Sequence, residues 1–206
     1  MFRGLQKASR YWLPLVTLIL PIFSLSGQVI EFSSNGLRYR AVTRHGLTLM
    51  YAHMPLTVRD YAVLQIAFNN GSSESWIVQP TDFSYHLPDG RILPAASEQH
   101  VVAELYRHAG ENEVVKLQSA YEKAIYGNQH IRSNNGYEQR RQAAMAFGSK
   151  GIKAAAAASA ISFAKTKLNP SDSTDGAVFF PNQGKELGPG KLFVRLQDGA
   201  FEIELG

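Results

Sequence analysis

The sequence predicts an α+β protein: an antiparallel β-sandwich interrupted by a helical insertion of two to three helices. Three observations carry this. Residues 37–96 and 176–205 hold short β-branched and aromatic runs separated by turn residues. Residues 98–168 change to apolar spacings of three and four. Neither strand-rich half has enough strands to close a core alone, so both belong to one sheet system and the helices are inserted between them.

The elements follow in order. LRYRAV, LTLMYA and YAVLQIAF read as strands, and in the last of these Ala62, Leu64, Ile66 and Phe68 share one face. Asn69-Asn70-Gly71 tolerates positive φ and ends that strand. Asn70-Gly71-Ser72 also matches a glycosylation acceptor, but is read first as a turn. SWIVQP and DFSYHL follow, and Asp89-Gly90 makes a hairpin turn before RILPA. Pro55, Pro80 and Pro94 are expected at strand ends or edges, where a missing donor is tolerated.

In the helical block, Val101, Leu105 and Ala109 form one stripe, and Val114, Leu117, Tyr121 and Ile125 another. Gly127-Asn128 reads as a C-terminal stop. Asn135 with Glu138 three residues on opens a third, long helix containing Gly148 and Gly151, ended by Asn169-Pro170. AVFFP, KLFVRL and FEIEL complete the strands, separated by Gly188-Pro189-Gly190 and Asp198-Gly199.

The 206 residues contain no cysteine, which excludes disulfides, thiolate zinc sites, iron–sulfur clusters and a cysteine nucleophile. A hydrophobic content of 45% with a net charge of only +4 excludes intrinsic disorder. Arg3, Lys7 and Arg10 precede an apolar run from Leu13 to Ser26. Small residues, Ser24 and Ser26, stand at −3 and −1 before Gly27. These are the parts of a secretory signal peptide covering residues 1–26. An uncleaved anchor is the alternative, but the run is short and contains Pro14 and Pro21, whereas a span needs about 20 apolar residues. The expectation is an exported protein, periplasmic or extracellular in a bacterial envelope, with residues 27–206 as a single domain. Without residues 1–26 the balance is 18 basic to 17 acidic residues, so the apparent basicity belongs largely to the signal. An internal polarity remains, with 10 basic and 6 acidic residues in 98–168.

Two stretches resemble small extracytoplasmic immunoglobulin-like domains of bacterial envelope proteins, domains of unknown function. They are AVLQIAFNNGSSESWIVQPTDFSYHLPDG, from Ala62 to Gly90, and DGAVFFP with KLFVRL, from Asp175 to Leu196. The resemblance covers about half of the chain after residue 26, and the helical block has no counterpart in it. It implies an immunoglobulin-like sandwich and no catalytic residues.

Three groups are candidate sites. His100, Glu104 and His108 are spaced four apart on one drifting helical face and would offer two imidazoles and a carboxylate to a divalent metal. A solvated polar face opposite Val101 and Leu105 is the competing reading. Between Lys123 and Lys167 the single acid Glu138 faces eight basic residues, among them Arg132, Arg140, Arg141, Lys150 and Lys153. This could dock an anionic envelope surface or an acidic protein partner, or simply keep a helix face solvated. Gly151, Ala155 and Ser159 would permit close helix approach, within the chain or in a homo-oligomer. Nucleotide-loop, serine-elbow and zinc-protease motifs are absent, no cofactor is implied, and the basic run lacks the stacking aromatics of a nucleic-acid binder. The expected role is non-enzymatic binding or assembly in the envelope. A metal-binding protein or enzyme built on the histidine-bearing helix, and a membrane-tethered protein, are the alternatives.

Overall fold

The computed structural model describes residues 29–34, 36–108, 111–126, 150–196 and 199–205, with Tyr137, Gln139 and Gln142. The expected signal peptide, residues 1–26, lies outside the described residues, as do Arg132, Arg140 and Arg141.

The elements run β1 (Val29–Ser34), β2 (Leu37–Arg44), β3 (Leu47–Val58), β4 (Tyr61–Asn70), β5 (Trp76–Val78), a 3-10 turn (Pro80–Asp82), β6 (Phe83–His86), β7 (Ile92–Pro94), α1 (Glu98–His108), α2 (Glu111–Tyr126), α3 (Lys150–Ile161), β8 (Thr166–Leu168), β9 (Ser173–Pro181), β10 (Gly190–Leu196) and β11 (Gly199–Leu205). The strands build sheets of order β1-β2-β3-β4-β9, β11-β10-β6-β7 and β5-β8, with antiparallel pairing throughout. The α+β class is as the sequence predicts.

The five-stranded sheet is the middle layer. One face carries Leu49, Leu64, Ile66, Phe68, Val178 and Phe180, which pack with Phe83, Tyr85, Leu192 and Val194 of the four-stranded sheet and with Trp76 and Leu168 of the short pair. The opposite face carries Tyr39, Ala52, Val63, Ala67 and Phe179, packed with Val101 and Leu105 of α1, Tyr121 of α2, and Ala158 and Ile161 of α3. This explains why YAVLQIAF reads as a nearly continuous apolar run. A strand with one wet face would alternate cleanly, but β4 is covered on both.

The structure departs from the expected boundaries in five places. β1 precedes the first expected strand and pairs with β2 from Val29↔Val42 to Ser34↔Leu37. α3 ends at Ile161, well before Asn169. There Ser162 Oγ donates to the Ala158 carbonyl at 2.7 Å, which competes with continuation of the helix. The Phe163 N–H turns instead to the Ala177 carbonyl of β9 at 2.9 Å. Phe163 then enters the core between the sheets, with ring centroids 6.0 Å from Phe68 and 5.6 Å from Phe83. Burying a ring of this size contributes about 1.5–3 kcal/mol, which no further helical turn would supply. Residues 166–168, expected to be helical, become β8 and pair with β5. β9 begins at Ser173, not 176, and Pro55 lies inside β3.

Asn70-Gly71-Ser72 is a turn. Asn70 is buried, its amide donates to the carbonyls of Glu74 (2.7 Å) and Leu168 (3.2 Å), and its Oδ1 accepts from the Ser72 N–H (3.0 Å). Gly90, at φ +87°, closes the β6–β7 hairpin that Asp89-Gly90 predicts.

Candidate functional site

The site forms where β2 and β3 part. The β2–β3 ladder runs from Arg44↔Leu47 to Tyr39↔Ala52 and stops, while β2 stays paired with β1 as far as Ser34↔Leu37. Leu37 and Arg38 therefore have ladder partners on β1 and none on β3. On its other side β3 pairs with β4 at His53↔Leu64 and next at Thr57↔Ala62, so Met54, Pro55 and Leu56 oppose Val63 alone. This is a bulge of two extra residues, and Pro55, with no N–H to contribute to a ladder, lies in it.

The parted strands and the β9–β10 loop enclose a cleft of about 410 Å³, lined by Gly36, Leu37, Arg38, His53, Met54, Pro55, Val63, Glu186, Leu187, Gly188 and Pro189. Leu37, Met54, Val63 and Leu187 are buried and make an apolar floor. Arg38, His53 and Glu186 are exposed and make a polar rim. The size falls in the range of small-ligand sites, roughly 300–1,000 Å³, and an apolar floor with a few polar groups is their usual construction.

The loop wall is held in place before any ligand arrives. Asn182, nearly buried, donates from Nδ2 to the carbonyls of Lys185 and Glu186, each at 3.0 Å, and its N–H donates to Asp60 at 2.8 Å. Tyr85 of β6 donates its hydroxyl to the Gly188 carbonyl. Gly190 lets the loop return close to β6, since a Cβ there would lie 2.6 Å from the His86 carbonyl oxygen and 2.7 Å from the Tyr85 ring. A wall fixed in this way spares the ligand the cost of ordering it.

Charge is arranged around the cleft in rows. Arg40 and Tyr51 are ladder partners next to Arg38 and His53, and Arg40 pairs with Glu31 of β1 at 2.6 Å. Burial pushes the Tyr51 hydroxyl up to about 12, against the pull of the Arg40 guanidinium. His53 opens to solvent at the rim, yet the crowding of strands around its ring pushes it below the ordinary 6.5. Arg40 and Arg38 add to the lowering, and Glu186 opposes it. The rim therefore combines Arg38 and Glu186 with an imidazole whose protonated form the site disfavours. The cleft offers a ligand charge, hydrogen bonding and apolar contact.

The residues singled out from sequence lie elsewhere. His100 and His108 are exposed on α1 and Glu104 is partly exposed. Among the described residues, no group of three or more His, Cys, Asp or Glu is arranged to hold a metal ion. Spacing of four puts such residues near one face, but eight residues also separate the two histidines by about 12 Å along the axis, too far for one ion. Ser159 of α3 donates to Glu98 of α1 at 2.9 Å, so this member of the small-residue stripe contacts a helix of the same chain. The side chains of Gly151, Ala155, Lys150 and Lys153 lie outside the described residues. Among the described residues, no helix is long and apolar enough to cross a membrane.

Sequence reasoning missed Arg38, His53 and Glu186 because their meeting depends on where two ladders stop. The one local signal was Pro55 inside an otherwise continuous strand pattern, which marks a bulge or edge. Comparison with protein-family models, with curated proteins and with solved structures gave no match for this chain.

Proposed function

We propose that the protein is an exported, non-enzymatic binding module of the bacterial envelope, and that the cleft between β2 and β3 is its binding site. The observation that carries this is the cleft itself: a walled apolar floor, a rim bearing Arg38, His53 and Glu186, and a loop held by Asn182 and Tyr85. Export rests on residues 1–26 of the sequence. The immunoglobulin-like likeness is supported by two antiparallel sheets packed face to face over a shared core. The order β1-β2-β3-β4-β9 is a hairpin meander extended by one strand, unlike the ABED and CFG order of immunoglobulin domains, so the proposal leans on the cleft and not on that likeness.

Gly188 supplies the test. It lines the cleft, and a Cβ added there meets nothing within 4 Å. Gly188→Trp should therefore obstruct the cleft without disturbing the core. Residues 27–206 and this variant are heated with a panel of short peptides and small amphiphiles. A ligand at 100 times its Kd stabilises by about 2.7 kcal/mol, which for a domain of this size raises Tm by roughly 5–10 °C. The rise is expected for some member of the panel with the wild-type chain and is lost in Gly188→Trp. A panel that stabilises neither chain, or both equally, overturns the proposal.

A further inference from the structure

We infer that the cleft takes an extended peptide segment, which adds its main chain to the strand edges exposed where β2 and β3 part. The inference rests on the binding-module reading and names its ligand class. An unladdered strand edge presents N–H and C=O groups at regular spacing, and another extended chain is the partner that satisfies them in series. Here two such edges occur at one opening. Leu37 and Arg38 have no ladder partner on β3, and His53 to Leu56 have none on β2. A free amino acid or a fatty acyl chain would fill the floor and leave these edges to water.

The side-chain environment points the same way. In an extended peptide alternate residues face the same side. One apolar side chain then reaches the floor made by Leu37, Met54, Val63 and Leu187, while its neighbours stay at the rim. Arg38 belongs to the β2 wall and Glu186 to the β9–β10 loop, so the rim offers the bound segment one charge of each sign. The complementary peptide carries an acidic residue toward Arg38, a central apolar residue, and a basic residue toward Glu186. Such recognition suits a chain terminus or an unstructured segment of another envelope protein.

The probe is a set of N-acetylated, C-amidated heptapeptides with a central leucine, one acidic and one basic flank, and threonines between. Calorimetry measures binding to residues 27–206, and hydrogen exchange followed by NMR reports the main chain. The structure calls for at least tenfold slower exchange at amides among Leu37, Arg38, His53, Met54 and Leu56. It also calls for at least tenfold weaker binding when alternate peptide nitrogens are methylated. Arg38→Glu should favour the peptide whose acidic flank is replaced by a basic one, and Gly188→Trp should abolish binding. If N-acetyl-leucine amide binds as tightly, or the methylated peptide does, strand addition is overturned while the binding cleft survives. If neither peptides nor small amphiphiles bind, both readings fall together.

Discussion

Removing one hydroxyl tests whether the helices and sheets fold as one cooperative unit. Tyr121 of α2 donates to Asp175 Oδ2 of β9 at 2.6 Å, and the two residues are 0% and 1% exposed. Tyr121→Phe keeps the ring, its burial and its tilted packing on Tyr137 at 5.3 Å, so the loss isolates the hydroxyl. A buried hydrogen bond to a carboxylate contributes about 1.5–3 kcal/mol. In a domain of this size that lowers Tm by roughly 3–12 °C. Urea unfolding is followed by two probes. Trp76, the one tryptophan of residues 27–206, reports on the core between the sheets, and circular dichroism at 222 nm reports on the helices. Both transitions should move together to lower urea with an unchanged slope. Asp175→Asn should cost a similar amount. The double variant should fall short of the sum by about 1 kcal/mol or more, since the two groups share one bond. A loss below about 0.5 kcal/mol, or a helix transition that separates from that of Trp76, would refute the reasoning.

Three further outcomes follow from the same geometry. In Gly176→Ala the new Cβ would lie 2.4 Å from Phe163 Cα and 2.6 Å from its nitrogen, so main chain must shift; urea unfolding should show a loss of about 3 kcal/mol, against less than about 0.5 for Gly188→Ala, whose Cβ enters open space. Burial raises Tyr51 and Tyr85 from the ordinary 10 to about 12. Their contribution is complete below pH 10 and is lost as pH rises toward 12. Phenolate absorbance should therefore show them ionising only as the chain unfolds, and ionisation of either in the folded chain near pH 10 would contradict this. His53, exposed at the rim, is lowered from 6.5 first by the desolvation that the surrounding strands impose on its ring, so the fold disfavours its protonated form. Stability is complete above pH 6.5 and falls as pH drops toward the depressed value; His53→Gln should flatten urea midpoints between pH 7.5 and 5 relative to the wild-type chain.

The layers were legible where the cause is local. The two-residue period of a strand placed Ala62, Leu64, Ile66 and Phe68 on one face, and these four residues do pack between the sheets. Asp89-Gly90 specified its hairpin because the turn demands the positive φ that Gly90 adopts. The period of Val101 and Leu105 identified the stripe that α1 buries. The end of α3 was not legible, because it is set by competition between one more helical turn and a place for Phe163 between Phe68 and Phe83. That place exists only because Gly176, 13 residues later, has no side chain to obstruct it. Leu187 and the β9–β10 loop join the cleft for the same kind of reason: their position is fixed by Tyr85, about a hundred residues earlier.

The cleft has a property that neither sheet nor helices have alone. Three of its floor residues, Leu37, Met54 and Val63, belong to the core beneath the helices. The fourth, Leu187, belongs to the core between the sheets. The parting of β2 from β3 thus opens the middle layer at a point where both cores meet the surface. A ligand seated there contacts both. With a bound peptide the Trp76 transition and the 222 nm transition should rise by the same increment in urea, as they do for any ligand of one cooperative unit. The site is therefore located by variants and not by the probes. Loss of that common rise in Gly188→Trp, whose position lines the cleft, would place the ligand at the opening between β2 and β3; a rise that persists in Gly188→Trp would place it elsewhere on the folded chain.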